Sequence, residues 1–358
     1  MKRWCLPILL LLSQSVLAAD RPNILLLMAE DLSTRIGAFG DRVAVTPHLD
    51  QLAREGVRYP NTFTTAGVCA PSRAAHIMGA HQNSFGGQHM RTSSSHWPLQ
   101  YRTVPPADMK AYPELLRQAG YFTFVTTKLD YQFSGTGPGS GPFTIWDLES
   151  RAGFPLDEVP AEMPFFGFVT FMETHESGMF PRWSWPRNTT HLLLQVLHIY
   201  LNLGVDDVVG PEDVTVPPYL PDTAAVRRDI ARHYNNIHTM DLRVGEILAG
   251  LEDAGLADNT IVIWTTDHGD GLPRGKRELF DSGIRVPMII RWPEKYRPAG
   301  RCGARPGRRA PDQFCRYSPD RARPGRCAGT ALYGGDPVCR RREARRKSLR
   351  VCCPRPSR

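Results

Sequence analysis

Three continuous apolar runs, each closed by an acidic or imidazole side chain, constrain this chain more than any other feature. Asn23 to Ala29 (NILLLMA) ends in Glu30-Asp31. Phe165 to Met172 (FFGFVTFM) ends in Glu173-Thr174-His175, and Thr260 to Thr266 (TIVIWTT) ends in Asp267-His268. A short apolar run without alternation has no solvent-facing side, so each reads as a strand buried on both faces, the habit of parallel sheets. Helical stretches lie between them. Thr46 to Gly56 (TPHLDQLAREG) opens on Thr-Pro and closes on Gly, as a capped helix does. Pro113 to Gly120 leads into the strand-like Tyr121 to Thr127, and Asp222 to Leu256 keeps helical periodicity up to Gly255. Val286 to Trp292 (VPMIIRW) is the last clear strand signal, while residues 177–220, rich in Pro and Trp, read as an irregular insertion over one edge. Alternating strands and helices predict an α/β fold with a doubly wound, mostly parallel sheet. No internal repeat is present.

In such a sheet, ligands sit outside the carboxyl ends of the strands. Glu30-Asp31, Lys128, His175 and Asp267-His268 all follow those ends. Glu30, Asp31 and Asp267 are three carboxylates arriving from two separate strands, and they repel one another unless a cation sits among them. Oxygen ligands select a hard ion, Ca²⁺ or Mg²⁺. Cys69 is the only cysteine between residues 6 and 301, so it belongs to no internal disulfide framework. It opens Cys69-Ala70-Pro71-Ser72-Arg73, after the strand-like Val57 to Thr65, and Pro71 sits where the first turn of a helix would begin.

Cys-x-Pro-Ser-Arg resembles the signature of the type I sulfatases, in which the cysteine is oxidised to formylglycine and a hydroxyl of the hydrated aldehyde is the nucleophile. The resemblance covers about residues 21–298 and implies the alkaline phosphatase/sulfatase type of α/β fold. It implies metal ligation by Glu30, Asp31, Cys69 (as formylglycine), Asp267 and His268, with Glu30 standing where Asp is commoner. It also implies catalytic roles for Cys69, Arg73, Lys128, His175 and Lys276: Arg73 beside the formylglycine, Lys128 and His175 at the sulfate, and Lys276 at the ester oxygen. The histidine usual two residues after the lysine is Asp130 here. His81, His89 and Arg91 follow the nucleophile segment in a stretch that looks like the heparan N-sulfatase-like branch, so these three and Asp130 are candidate substrate contacts. The expected reaction is hydrolysis of a sulfate ester or N-sulfate, with a sulfated small molecule or glycan as substrate and a formylglycine-generating enzyme for maturation. A phosphoester or phosphonate hydrolase of the same superfamily, or an inactive truncated fragment, are the alternatives.

Three segments are expected. Residues 1–19 read as a secretory signal, with Lys2 and Arg3 before the apolar Leu6 to Leu17 and small residues at Ala18-Ala19. The product would be periplasmic or secreted, with no membrane span once the signal is removed. Residues 20–298 form the catalytic domain. Residues 299–358 read as a tail of another kind. From 301 onward there are sixteen Arg and one Lys against four acids, and six of the eight cysteines, with no apolar period. The formal net charge of +8 is therefore a property of the tail, and it gives no reason to expect a nucleic-acid partner. A reading-frame shift near Arg297 to Cys302 accounts for this composition and would leave out the family's small C-terminal subdomain. A basic interaction tail or a cysteine-rich metal module are the alternatives, although the cysteine spacings fit no zinc pattern. Limited proteolysis is expected to cut first close to Arg297–Arg305. A protease-resistant, disulfide-linked tail would show a real module instead.

Overall fold

The computed structural model describes residues 21–90 and 103–298, apart from Thr136, Pro142, Ala152 and residues 182–184. The signal segment, Arg91 and the tail lie outside the described residues.

Seven strands form one sheet: β1 (Asn23–Ala29), β2 (Val57–Phe63), β3 (Phe122–Thr126), β4 (Leu148–Ser150), β5 (Phe165–Phe171), β6 (Thr260–Thr266) and β7 (Arg285–Arg291). Their spatial order is β2-β7-β6-β1-β5-β3-β4. Strand β1 is central and pairs in parallel with β5 and β6, with Leu26 opposite Phe168 on one side and Ile263 on the other. Only β7 runs against its neighbours, β6 and β2. The sheet is thus mostly parallel, as the runs predict.

Side chains alternate across a strand, so each apolar run must feed two cores. Leu25 and Leu27 join Trp264 and the helix α5 (Ala224–Asp253) residues Ile230, Ile237, Met240 and Val244 on one face. Leu26 and Met28 join Phe166, Phe168 and Trp146 on the other, together with Ala74 and Ile77 of helix α2 (Cys69–Met78). Full burial of each such side chain stabilises the fold by about 1.5–3 kcal/mol. Gly167 of β5 shows how closely the strands' side chains pack, because a Cβ there would meet the Phe124 ring at 2.3 Å.

The remaining helices are α1 (Pro47–Glu55), α3 (Tyr112–Gln118) and α4 (Thr189–Leu201), with one turn at Asp281–Ile284. No described helix is long and apolar enough to cross a membrane. Helix α4 corrects the expectation of an irregular insertion. Its sequence TTHLLLQVLHIYL is apolar nearly all round, so it lacks the one-sided stripe that marks a surface helix.

The start of α1 also differs from its sequence signal. Thr46 makes no side-chain cap; its Oγ1 accepts from the Gly37 N–H and donates to Asp50. The cap comes from α5 instead, where the Asp241 carboxylate accepts the N–H groups of His48 (3.0 Å) and Leu49 (2.8 Å). Burial pushes the Asp241 carboxyl up to about 6 even so. Asp241→Ala is expected to cost about 1 kcal/mol at pH 7 in urea unfolding. Because this acid's pKa is raised on folding, the unfolded chain loses its proton first as pH rises. Wild-type advantage over the variant should therefore grow as pH falls from about 6 toward about 4. A pH-independent difference would show that Asp241 does not titrate in this way.

Candidate active site and metal centre

The carboxyl ends of β1, β3, β5 and β6 bring Glu30-Asp31, Lys128, His175 and Asp267-His268 to the N-terminal turn of α2. The loops that deliver them are strained. Asp31 (φ 48°), Thr127 (71°), Asp130 (57°), Arg274 (65°) and Arg277 (76°) are the non-glycine residues with left-handed φ among the described residues. All five lie beside Glu30, Lys128 or Lys276, and strain of this kind gathers at functional sites.

The signature residues of α2 lock this end of the sheet together. Arg73 is 1% exposed, and its five N–H groups are all directed to partners. Nε donates to Leu129 O (3.1 Å). Nη1 donates to Glu30 Oε1 (2.8 Å) and lies 3.4 Å from Met28 Sδ. Nη2 donates to Lys128 O (2.8 Å) and Thr170 Oγ1 (2.7 Å). One guanidinium thus ties α2 to β1, β5 and the loop after β3. Its charge is spent on Glu30, and none of these bonds goes to Cys69. Ser72 Oγ donates to Asp267 O (2.5 Å) and contacts Thr64 Oγ1 (2.6 Å). Pro71 stands in the first turn, where its missing N–H has no intrahelical partner to lose.

Around Cys69 the charges are dense and buried. Burial alone would raise the Glu30 carboxyl, but Lys128 and Arg73 hold it down to about 2. Lys128 Nζ donates to Glu30 Oε2 and lies 3.3 Å from Asp130 Oδ2. Asp31 Oδ1 is 3.1 Å from His268 Nε2, and its Oδ2 accepts from Lys276 Nζ and the Glu176 N–H, both at 2.7 Å. Burial disfavours the imidazolium of His268, yet the Asp267 and Asp31 carboxylates hold its pKa well above the ordinary value. The Cys69 thiol is 2% exposed, with Sγ 3.2 Å from His268 Nε2 and 3.7 Å from Asp31 Oδ1. Burial pushes that thiol up to about 11; Lys128 opposes the rise, and Glu30, Asp31 and Asp267 reinforce it. An unmodified Cys69 is therefore a protonated thiol at neutral pH, not a thiolate nucleophile.

Asp267 tests whether a cation fits. Its Oδ1 accepts the N–H groups of Asp31 (3.0 Å) and His268 (2.9 Å), which fixes the carboxylate. Its Oδ2 is buried with no hydrogen-bond partner. Burial and the Glu30 charge push Asp267 up to about 6. A fixed carboxylate oxygen that accepts no hydrogen bond, with only the His268 ring 3.7 Å away, is what a hard cation can satisfy. Two overlapping groups can hold such an ion: Asp31, Cys69, Asp267 and His268, and Glu30, Asp31, Cys69 and His175. Within each group the ligand atoms lie within 4.8 Å of one another. Asp31, Cys69, Asp267 and His268 thus share one group, while Glu30 falls in the other with His175, and its two oxygens already accept from Arg73 and Lys128.

On the open side, Lys276 Nζ lies 3.0 Å from Glu176 Oε1 and 3.5 Å from His175 Nε2. Burial lowers the pKa of His175; Asp31 works against that, while Lys128 and Lys276 add to it, and the net shift is downward. His81 and His89 are exposed, and His89 Nε2 lies 3.3 Å from Gln88 Nε2. Asp130 is fully buried as a partner of Lys128, and Arg91 lies outside the described residues. The sequence reading missed Glu176, whose carboxylate also takes both guanidinium ends of Arg277 (2.7 and 2.8 Å). It also missed Asp270, which accepts from Ser33 N–H and Arg35 Nε and so joins the loops after β1 and β6. Glu176 directly follows His175 and Asp270 lies three residues after Asp267, but nothing in their spacing sets them apart from loop acids.

The sulfatase family profile matches residues 22–144 and 155–314. This chain belongs to the sulfatase family. An ulvan-active sulfatase of Formosa agariphila is 42% identical over 294 residues, covering 77% of this chain and 48% of that protein. Human N-sulphoglucosamine sulphohydrolase is 31% identical over 309 residues, covering 81% of this chain and 58% of the relative. The chain thus spans about half the length of these relatives. Among solved structures, a 2-O GAG sulfatase superposes with a TM-score of 0.53 at 20% identity, covering 76% of this chain and 64% of that one. At such identity the likeness establishes the fold alone, which is the sulfatase type expected from the sequence.

Arg73→Met should destabilise the fold by about 3–5 kcal/mol, because Glu30, two backbone carbonyls and Thr170 lose their buried donor. Arg73→Lys should rescue little of this, since one ammonium cannot meet partners in so many directions. Chemical unfolding checks both, and a loss under about 1 kcal/mol would remove Arg73 from its structural role.

Proposed function

We propose that this chain hydrolyses sulfate groups, as esters or N-sulfate, on a sulfated glycan. The observation that carries this reading is the buried carboxylate–imidazole cluster around Cys69 at the head of α2, with the cations Lys128 and Lys276 beside it. The two relatives, an ulvan-active sulfatase and an N-sulphoglucosamine sulphohydrolase, favour a sugar sulfate as substrate.

Glu30, Asp31, Asp267 and His268 would hold one divalent cation, Ca²⁺ or Mg²⁺. Residue 69 would be formylglycine, made by a formylglycine-generating enzyme in an exported chain. When present, these groups supply an oxygen nucleophile that clears itself by re-forming the aldehyde, and positive charge at a sulfate oxygen. The side chains do the rest. Lys128 and Lys276 offer ammonium groups to the sulfate oxygens and the leaving oxygen, in a buried setting that strengthens such contacts. His175 Nε2, which shares its space with Lys276 Nζ, can give a proton or hydrogen bond to the departing oxygen. Asp31 and Glu176 keep Lys276 charged against its burial. The positive end of α2 adds to the attraction for an anion.

With a maturing enzyme co-expressed, Cys69→Ala should lose turnover of an aryl sulfate by at least about 10³-fold. Its melting temperature should still rise with added Ca²⁺. Asp267→Ala should lose both turnover and that rise. An active Cys69→Ala protein, or wild-type melting indifferent to Ca²⁺, Mg²⁺ and chelator, would sink the reading.

A further inference from the structure

His175 does not stand alone behind the site. Its Nδ1 lies 2.7 Å from Ser177 Oγ, and Ser177 Oγ lies 2.8 Å from His198 Nε2. The three side chains run from Lys276 inward to α4. Ser177 is 1% exposed and His198 4%. His198 and Gln195 are the buried residues of α4, a helix whose outer face (Leu193, Val196, Tyr200) is exposed and apolar.

The direction of this chain is fixed by one backbone group. The Ser177 N–H donates to His175 Nδ1 at 3.3 Å, and an amide N–H can only donate. Nδ1 is therefore an acceptor and carries no proton. The Ser177 hydroxyl must give its single proton to Nδ1, which leaves its oxygen to accept from His198 Nε2–H. A neutral His175 then holds its proton on Nε2, the nitrogen 3.5 Å from Lys276 Nζ. Two donors converge there on one space, an arrangement that suits an oxygen of the substrate and not another donor.

We infer that Ser177 and His198 are positioning residues that hold His175 as the Nε2–H tautomer, with its donor facing the substrate oxygen. The packing gives the relay little freedom. A Cβ on Gly178 would meet Asn236 Nδ2 at 2.5 Å and the His198 ring at 2.9 Å, so the loop presses directly on His198. At its far end α4 is pinned to α5, as Asn202 Nδ2 donates to His198 O and Thr239 Oγ1 donates to Asn202 Oδ1, both at 2.8 Å. A ring fixed through a hydroxyl and a second imidazole keeps its orientation between turnovers, as the outer partners of functional histidines do.

The inference rests on the placement of His175 at the substrate, so its test includes a readout that needs no turnover. In the full chain labelled with ¹⁵N-histidine, ring-nitrogen shifts distinguish a protonated from a bare nitrogen. Substitution of His175 and of His198 assigns their signals among the eleven histidines. Wild-type His175 should show bare Nδ1 and protonated Nε2. Ser177→Ala should mix the tautomers and lower kcat on an aryl sulfate about 10-fold with KM little changed, while Ser177→Thr restores both. His198→Gln, which keeps a donor near Nε2, should retain more activity than His198→Leu. A wild-type His175 carrying its proton on Nδ1 overturns the inference without any variant. So does an unchanged tautomer and kcat in Ser177→Ala. A wild type with the expected tautomer and Ser177 dependence but no sulfatase turnover would refute the proposed reaction and leave the relay standing.

Discussion

Glu30 is a carboxylate with no access to water at the end of the central strand, and the architecture of the site follows from the need to keep it charged. An isolated buried carboxylate would take up a proton; this one is held ionised by Arg73 and Lys128. Those two cations come from α2 and from the loop after β3, so satisfying one charge fixes two elements against β1. The same guanidinium meets carbonyls of the β3 loop and the Thr170 hydroxyl of β5. A buried ion pair is a poor source of net stability, but it tolerates no other register, because each alternative leaves a bare charge. That specificity places the head of α2, and Cys69 with it, at the carboxyl end of the central strand.

Next to this satisfied pair lies an unsatisfied one. Asp31 has Lys276, His268 and the Glu176 N–H as partners, whereas Asp267 has backbone donors on one oxygen and, on the other, no hydrogen bond and only the His268 ring at 3.7 Å. Compensation is complete on the scaffold side, through Arg73 and Lys128, and incomplete on the side facing Cys69. The strained Asp31, Thr127, Asp130, Arg274 and Arg277 mark the same boundary. The proposed binding centre lies where the protein's own charges stop short of neutralising one another.

Helix α4 shows how a segment can matter while showing little pattern. Its buried polar residues His198 and Gln195 reach the loop after β5, with Gln195 donating to Pro181 O and His198 meeting Ser177. The two buried side chains of this largely apolar helix are polar ones, while Leu193, Val196 and Tyr200 stand exposed. A reading that looks for an apolar stripe has nothing to find there.

What the residues alone determined was the sheet and the ends of its strands. Apolar runs buried on both faces have no alternative to a covered parallel sheet, and the acids and histidines closing them had to gather at one edge. Most strand and helix positions, helix α4 excepted, the arrival of Glu30-Asp31 and Asp267-His268 at one sheet edge, and the place of Cys69 at a helix start were legible for that reason. The three-residue β4, the cap of α1 by Asp241, the enclosure of Glu176, the Asp270 bridge and the Ser177–His198 chain were not. Each depends on partners 2 to more than 200 residues apart in sequence, chosen by packing and by hydrogen-bond direction. Periodicity says which face of an element is buried. Only the tertiary structure decides which polar groups meet once water is excluded, because pairing there is set by distances of a few tenths of an ångström that no spacing in the chain encodes.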